Sequence, residues 1–264
     1  MKIGYLQFAP KFGEIEANLL KVRELIGDTS CDLLVLPELF STGYTFRSPK
    51  ELRGLSETVT GGRTVHFLRE LSAQRRMAVV GGFPELQGKK VYNSSILCLP
   101  HSRFYVYRKK HLYHHEKKFF AVAHDAYTPQ MIEGGVKLGL LICFDWIFPE
   151  AMRALSLAGA HIICHSANLV LSYCQDAMIT RALENRVFII TANRTGTEVR
   201  GRFTHRFTGM SQIVSPEGRI LCRAGEREEA VSVVRINPRD AQDKKITPLN
   251  DIFQDRRKGL YKGL

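Results

Sequence analysis

No stretch of the chain approaches the roughly 20 consecutive apolar residues that a membrane-spanning helix needs. The N-terminus, MKIGYLQFAP, lacks the charged, apolar and small-residue series of a secretory leader. These absences predict a soluble, cytoplasmic protein with no membrane partner. There is no CxxC pair: Cys31, Cys98, Cys143, Cys164, Cys174 and Cys222 are scattered, four of them in apolar strand-like runs where a thiol serves as a small hydrophobe. A disulfide framework is excluded on that pattern. The one ligand-like cluster, HIICH with His161, Cys164 and His165, sits in a strand-like run with no further ligands evident, so neither metal nor cofactor is expected. A Pro/Gly/Ser-rich spacer is also missing. The 264 residues therefore read as a single domain, 1–264, in which the polar segment 237–264 wraps a surface or contacts a partner subunit.

Charge of one sign is in excess, with 38 Lys and Arg against 26 Asp and Glu, a net +12. Taken alone, that excess raises a non-enzymatic binder of nucleic acid. The positive charge is dispersed, however. Its densest spots, RKKH (108–111), EKK (116–118), RGRFTHR (200–206) and DRRK (255–258), belong to no nucleic-acid module. A solvated basic surface accounts for them, and no nucleic-acid partner is expected.

What the sequence does have is alternation of strand and helix patterns. KIGYLQF (2–8) reads as a strand, 14–26 as an amphipathic helix and DLLVLPE (32–38) as a strand covered on both faces. A helix over 63–76 and strands at 77–83, 91–100 and 103–109 follow. The second half repeats the order: strand 136–143, helix 149–158, strand 160–165, helix 174–186, strand 187–192, then strands near 207–214, 219–223 and 230–236. Two similar halves without a linker predict a duplicated α/β fold.

Ligands of α/β sheets gather beyond the carboxyl ends of the strands. Three polar residues sit there: Glu38 after LLVLP, Lys109 after FYVYR and Cys143 after LGLLI. Alone, each has a bland reading as a helix cap, a surface lysine and an inert core thiol. Together they form a chemical set. A cysteine attacks as thiolate and needs a base or a cation nearby. Attack on an amide or nitrile carbon builds negative charge, which the Lys109 ammonium and the N–H of Phe144 are suited to stabilise. A Cys–His arrangement using His111, His114 or His115 is the competing set, resting only on their nearness to the lysine in sequence.

The three blocks VLPELFSTGY (35–44), YRKKHLY (107–113) and GLLICFDWIFPE (139–150) resemble, in order, those of the nitrilase superfamily of carbon-nitrogen hydrolases. SANL (166–169), RALENRVFIITANRTG (181–196) and FTGMSQIVSPEG (207–218) extend the likeness over nearly the whole chain. The resemblance implies Glu38 as general base, Lys109 as stabiliser of the tetrahedral intermediate and Cys143 as nucleophile. The family spacing Y-x-K-x-H-L selects Lys109 over Lys110, and Glu116 matches a second glutamate found in many members. It further implies a four-layer α-β-β-α sandwich, a homodimer formed through the cysteine-side helices or a higher homo-oligomer, no cofactor, and a small linear amide or a small nitrile as substrate. An amidase is the first expectation, a nitrilase the second and acyl transfer the third. One departure is visible: FFAVAHDA (119–126) stands where the family commonly carries Phe-x-Pro-Gly, which bears on loop stiffness and pocket shape. Asp145 is expected to brace the turn after Cys143. Trp146 is expected to wall the pocket or pack the core, and Asn168 to meet a polar substrate or stabilise its own turn.

Overall fold

The computed structural model describes residues 1–261. In the first half, β1 (Lys2–Gln7), α1 (Ile15–Ile26), β2 (Leu33–Val35), α2 (Pro49–Leu55), α3 (Arg63–Arg75), β3 (Ala78–Gln87), β4 (Lys90–Cys98) and β5 (Phe104–Arg108) follow one another. The second half runs β6 (Gln130–Met131), β7 (Lys137–Ile142), α4 (Pro149–Leu157), β8 (Ile162–Ala167), α5 (Cys174–Asn185) and β9 (Phe188–Asn193). It closes with β10 (Thr197–Arg200), β11 (Phe203–Arg206), β12 (Gln212–Val214), β13 (Ile220–Arg223) and β14 (Ala230–Arg235).

Two six-stranded sheets result, ordered β14-β1-β2-β3-β4-β5 and β6-β7-β8-β9-β12-β13. Each has three parallel strands at its centre, β1-β2-β3 and β7-β8-β9, with antiparallel strands added on both sides. The halves thus share one strand plan, and the duplication read from the sequence is present. The sheets stack face to face. Alternation along the strands sends Ile3, Tyr5, Leu33, Val35, Val80 and Leu97 of the first sheet into the space shared with the second. Their neighbours Leu34, Val79 and Ile96 point outward, where α1 and α3 cover them with Leu19, Val22, Leu68 and Leu71. On the far side α4 and α5 lay Met152, Leu155, Met178 and Ala182 against the second sheet. The architecture is a four-layer α-β-β-α sandwich. Burying each such Leu, Ile or Val contributes about 1.5–3 kcal/mol, which holds the layers and leaves the strand ends to carry polar groups.

Several boundaries differ from the sequence reading. β2 is only three residues long, since Pro37 has no N–H to extend the ladder and the chain turns there. The strand expected at 207–214 begins at Gln212, because Gly209 (φ 58°) and Met210 (φ 53°) curl the preceding stretch. The hairpin of β10 and β11 and the helix α2 were not expected. After β14, Lys244 Nζ donates to the carbonyls of Asn185 (3.1 Å) and Arg186 (2.8 Å), seating the tail on the C-terminal end of α5. Residues 262–264, the end of the segment assigned to surface or subunit contact, lie outside the described residues.

Candidate active site

Glu38, Lys109, Glu116 and Cys143 are all buried although three of them are ordinarily charged. Their positions follow from how the strands end. Glu38 sits in the turn after β2, with Leu39 in the left-handed region at φ 48°. The turn lies so close to β3 that a Cβ on Gly82 would stand 2.6 Å from both Glu38 Cα and Leu39 N. Lys109 is the first residue past β5, and its N–H donates to the Asn93 carbonyl (2.8 Å). Glu116 comes from the short 3-10 turn His114–Lys118. Cys143 is the first residue past β7 and has φ 40°, a conformation that costs a residue with a Cβ about 1–3 kcal/mol and that surrounding contacts must hold.

Those contacts are specific. Asp145, two residues on, accepts from the N–H of Ile142 (3.0 Å), the N–H of His111 (3.1 Å) and the hydroxyl of Tyr107 (2.7 Å), and its Oδ1 lies 2.8 Å from His111 Nδ1. It braces the turn as expected. From the other side His165 Nε2 lies 2.9 Å from the Cys143 carbonyl. A carbonyl only accepts, so that nitrogen carries the proton, and Nδ1, 3.3 Å from Thr191 Oγ1, accepts from the hydroxyl. Burial pushes the His165 imidazole down to about 4, so the ring is neutral near pH 7. The HIICH histidine is thus a brace for the nucleophile turn. The sequence reading missed this role.

Lys109 Nζ is the hub. It lies 2.8 Å from Glu38 Oε1 and 2.8 Å from Glu116. Asn93 Nδ2 also donates to Glu38 Oε1 (2.7 Å), Tyr44 Oη donates to Glu116 Oε1 (2.8 Å), and the N–H of Tyr113 donates to Glu116 Oε2 (3.1 Å). Glu38 Oε2 has no hydrogen-bond partner among the described residues. Burial drives the Lys109 ammonium toward losing its proton, but Glu116 and Glu38 outweigh that and hold it charged. Burial raises the Glu38 carboxyl above the usual carboxylate range, with Lys109 and Asn93 opposing and Glu116 adding to the rise. The Cys143 thiol is pushed well above its ordinary range by burial and then by Glu38, while Lys109 and the Asn168 N–H pull the other way. The thiol is therefore protonated at rest, and attack requires a base at the moment of reaction.

Around this cluster, Phe144 is partly exposed and tilts against Tyr113 with ring centroids 5.1 Å apart. Trp146 is buried in the core with its edge toward Tyr173 (5.9 Å), so packing is its visible role. Asn168, just past β8, is buried, and neither its Oδ1 nor its Nδ2 has a partner among the described residues. The departing loop anchors through Phe120, edge-on to Phe46 (6.0 Å), and through the Ala121 N–H on the Val91 carbonyl (2.8 Å). Phe119 and Phe120 line a recess with Tyr44, Tyr113 and Glu116, which places the start of the 119–126 segment beside the cluster. The Cys–His set is not assembled. His111 is turned to Asp145, and His114 and His115 stack on each other at 4.1 Å. Among the described residues no group of three or more His, Cys, Asp or Glu side chains is arranged to hold a metal ion. A buried thiol, a free carboxylate oxygen and a fixed ammonium make a set able to attack a polarised carbon, move one proton and stabilise the charge that develops.

Comparison with known proteins agrees with that chemistry. Residues 2–245 match the sequence pattern of the carbon-nitrogen hydrolases. A nitrilase of Pyrococcus abyssi is 40% identical over 264 residues, covering 99% of each chain. An (R)-stereoselective amidase of a Pseudomonas species is 36% identical over 90% of this chain and 85% of its own. Among solved structures, a variant of the Nesterenkonia sp. AN1 amidase, with acrylamide added at its active-site cysteine, superposes with a TM-score of 0.81 at 26% identity, covering 98% of each chain.

Proposed function

The chain belongs to the carbon-nitrogen hydrolase family of the nitrilase superfamily, and on that footing we propose that it hydrolyses a small primary amide through a covalent acyl-cysteine on Cys143. Glu38 Oε2 takes the thiol proton as sulfur attacks the carbonyl carbon. The developing oxyanion is held by the Lys109 ammonium and the Phe144 N–H. Collapse of the tetrahedral intermediate breaks the C–N bond, and the proton held by Glu38 passes to the departing nitrogen, releasing ammonia. Water then enters, Glu38 takes its proton, and the carboxylic acid leaves with the thiol restored. Glu116 does not exchange protons in this scheme. It fixes Lys109.

The observation that carries the reading is the asymmetry of Glu38: Oε1 is held by Lys109 and Asn93, while Oε2 is unpartnered. A buried acceptor left free costs about 1–3 kcal/mol unless a ligand supplies a donor. Among the described residues Asn93 Oδ1 and Asn168 Oδ1 have no partner either. A primary amide brings two N–H donors to these acceptors and a nitrile brings none, so the amide is the better match. The second reading, a nitrilase, is favoured by the name of the Pyrococcus abyssi relative. Ammonia release from matched amides and nitriles of two to six carbons separates the two readings. Intact mass with an acyl adduct mapped to Cys143 supports the scheme, and turnover that survives Cys143→Ala would overturn it.

The same reading extends to assembly. Ile147, Leu157 and Leu183 on the cysteine side, and Leu249 and Leu260 in the tail, are exposed and apolar. Their exposure is compatible with a homodimer in which 237–264 takes part within a single hydrolase domain, to be checked by light scattering. No helix among the described residues is long and apolar enough to cross a membrane.

A further inference from the structure

Arg194 and Glu198 form a buried ion pair with no hydrogen bond to the thiol or to Glu38 among the described residues; the Arg194 charge is within reach of Glu38, but the scheme above gives the pair nothing to do. Arg194 follows β9 and is buried with its guanidinium 3.9 Å from the centroid of the Phe207 ring. It donates from Nη2 to the Pro10 carbonyl (3.1 Å) and from Nη1 to Glu198 Oε2 (2.9 Å). Glu198 Oε1 in turn accepts from the N–H of Thr45 (2.6 Å) and the N–H of Tyr44 (3.2 Å). Gly43, at φ 79°, makes room: a Cβ there would stand 2.7 Å from Glu198 Oε2. The loop so held carries the Tyr44 hydroxyl to Glu116, which grips Lys109. Burial, with Glu116 and Glu38 adding to it, keeps the Tyr44 phenol protonated, so it remains a donor.

A buried ion pair is poor value as a stabiliser, because apolar residues of the same volume often do as well once desolvation is counted. This one is aimed at two backbone N–H groups of a single loop. Beyond it, Thr45 Oγ1 lies 2.9 Å from His205 Nδ1 and the Arg47 N–H donates to Glu51 Oε2 (2.7 Å), while the Tyr44 side chain reaches the carboxylate that fixes the hub. We propose that Glu198, carried by Arg194, is a positioning residue. It holds the Tyr44 loop so that the phenol orients Glu116, and through Glu116 the Lys109 ammonium. The inference rests on the roles given above to Lys109 and Glu116.

The test uses iodoacetamide, which reports on the thiol and its neighbours whatever the natural substrate, with alkylation of Cys143 followed by peptide mass mapping across pH. Tyr44→Phe removes one donor to a charged acceptor, which sets the scale of the loss. The saturating alkylation rate falls about ten- to a hundredfold, while the concentration for half-saturation stays within about twofold. An ammonium held less firmly by Glu116 opposes the burial of Glu38 less well, so the Glu38 carboxyl rises and the acidic limb that it sets as base moves to higher pH. Glu198→Gln shifts rate and limb the same way. Because it acts through Tyr44, the double variant Tyr44→Phe/Glu198→Gln is no slower than the slower single variant within about twofold.

Should Glu198→Gln fail to fold, Arg194→Lys, which keeps the charge but loses the fork, takes its place in the cycle. A folded Glu198→Gln or Arg194→Lys with unchanged rate and limb overturns the proposal, and so do single effects that multiply in the double variant. Glu116→Gln separates the levels. If it alkylates like the parent, the role of Glu116 fails first; if it is slow while Tyr44→Phe and Glu198→Gln are not, only the positioning role fails.

Discussion

Replacing Lys109 with Met tests the hub most directly, because it removes one charge from between two buried ones. Nζ lies 2.8 Å from Glu38 Oε1 and 2.8 Å from Glu116. At an effective dielectric of 20, each contact is worth about 6 kcal/mol of attraction before the cost of dehydrating the three groups is subtracted. What survives when one partner of a buried pair is removed is about 3–5 kcal/mol. At about 2–4 °C per kcal/mol for a chain of this size, the midpoint of thermal unfolding at pH 7.5 falls by roughly 10 °C. The loss depends on pH with a definite sign. Glu38 is already raised above its ordinary 4.5 by burial, and without Lys109 it rises further. The folded variant then holds protons that the unfolded chain releases. Stability relative to the parent is therefore lost as pH climbs from about 4.5 through the raised folded value, and it is flat above that. Calorimetry of parent and variant at pH 5 and pH 7.5 should show the smaller deficit at pH 5, with turnover down by at least about a hundredfold at both. A midpoint within about 2 °C of the parent at pH 7.5, or a deficit that grows on acidification, would refute the account of a charge-balanced hub.

The remaining predictions bear on the walls of the site. Asn168→Ala leaves its backbone N–H in place but removes both unpartnered amide atoms; KM for the best amide of the panel should rise tenfold or more, with kcat within about threefold. Gly82→Ala forces a Cβ against Glu38 Cα and should lower kcat at least about tenfold while costing about 1–3 kcal/mol in urea unfolding. His165 is held neutral down to about 4, so the parent loses stability as pH falls from the ordinary 6.5 toward that value; His165→Gln keeps an N–H donor, cannot take up the proton, and should lose about 3 kcal/mol less over that window. Cys143→Gly relieves the left-handed strain at φ 40° that Cys143→Ala retains, so the glycine variant should melt no lower than the alanine one, against the usual deficit of about 0.5–1 kcal/mol for glycine.

How much of this was legible in the sequence depended on range. The three strand ends were legible because strand-like runs end at Glu38, Lys109 and Cys143; β2 and β5 run in the same direction in one mixed sheet, and β7 ends in the sheet that faces it. α2 was equally legible and was overlooked: Ser48 accepts from the Glu51 N–H (3.1 Å) and Pro49 occupies the first turn, the usual opening of a helix. Asn93 carried a weaker signal, the first of three polar residues, Asn93, Ser94 and Ser95, in a buried strand. Other parts had none. Glu198 meets Tyr44 across 154 residues and His165 meets Cys143 across 22, and no local pattern distinguishes a glutamate that binds loop amides from one that faces solvent.

The places where local rules fail are informative for the same reason. Leu39, His114 and Cys143 hold positive φ without being glycine. Each lies in, or within two residues of, the turns that present Glu38, Glu116 and the nucleophile. Strain of that kind persists only where neighbours over-determine the backbone, and here those neighbours are identifiable. Gly82 lets the Glu38 turn press onto β3, Asp145 collects three donors under the Cys143 turn, and His165 fixes the Cys143 carbonyl. Stability from the covered sheets therefore supports a small region that is unfavourable by every local measure: buried charge, a protonated buried thiol and left-handed backbone. A site assembled this way should be rigid before substrate arrives. Its selectivity then falls to the atoms of Glu38, Asn93 and Asn168 left without partners among the described residues and to the aromatic recess beside Glu116.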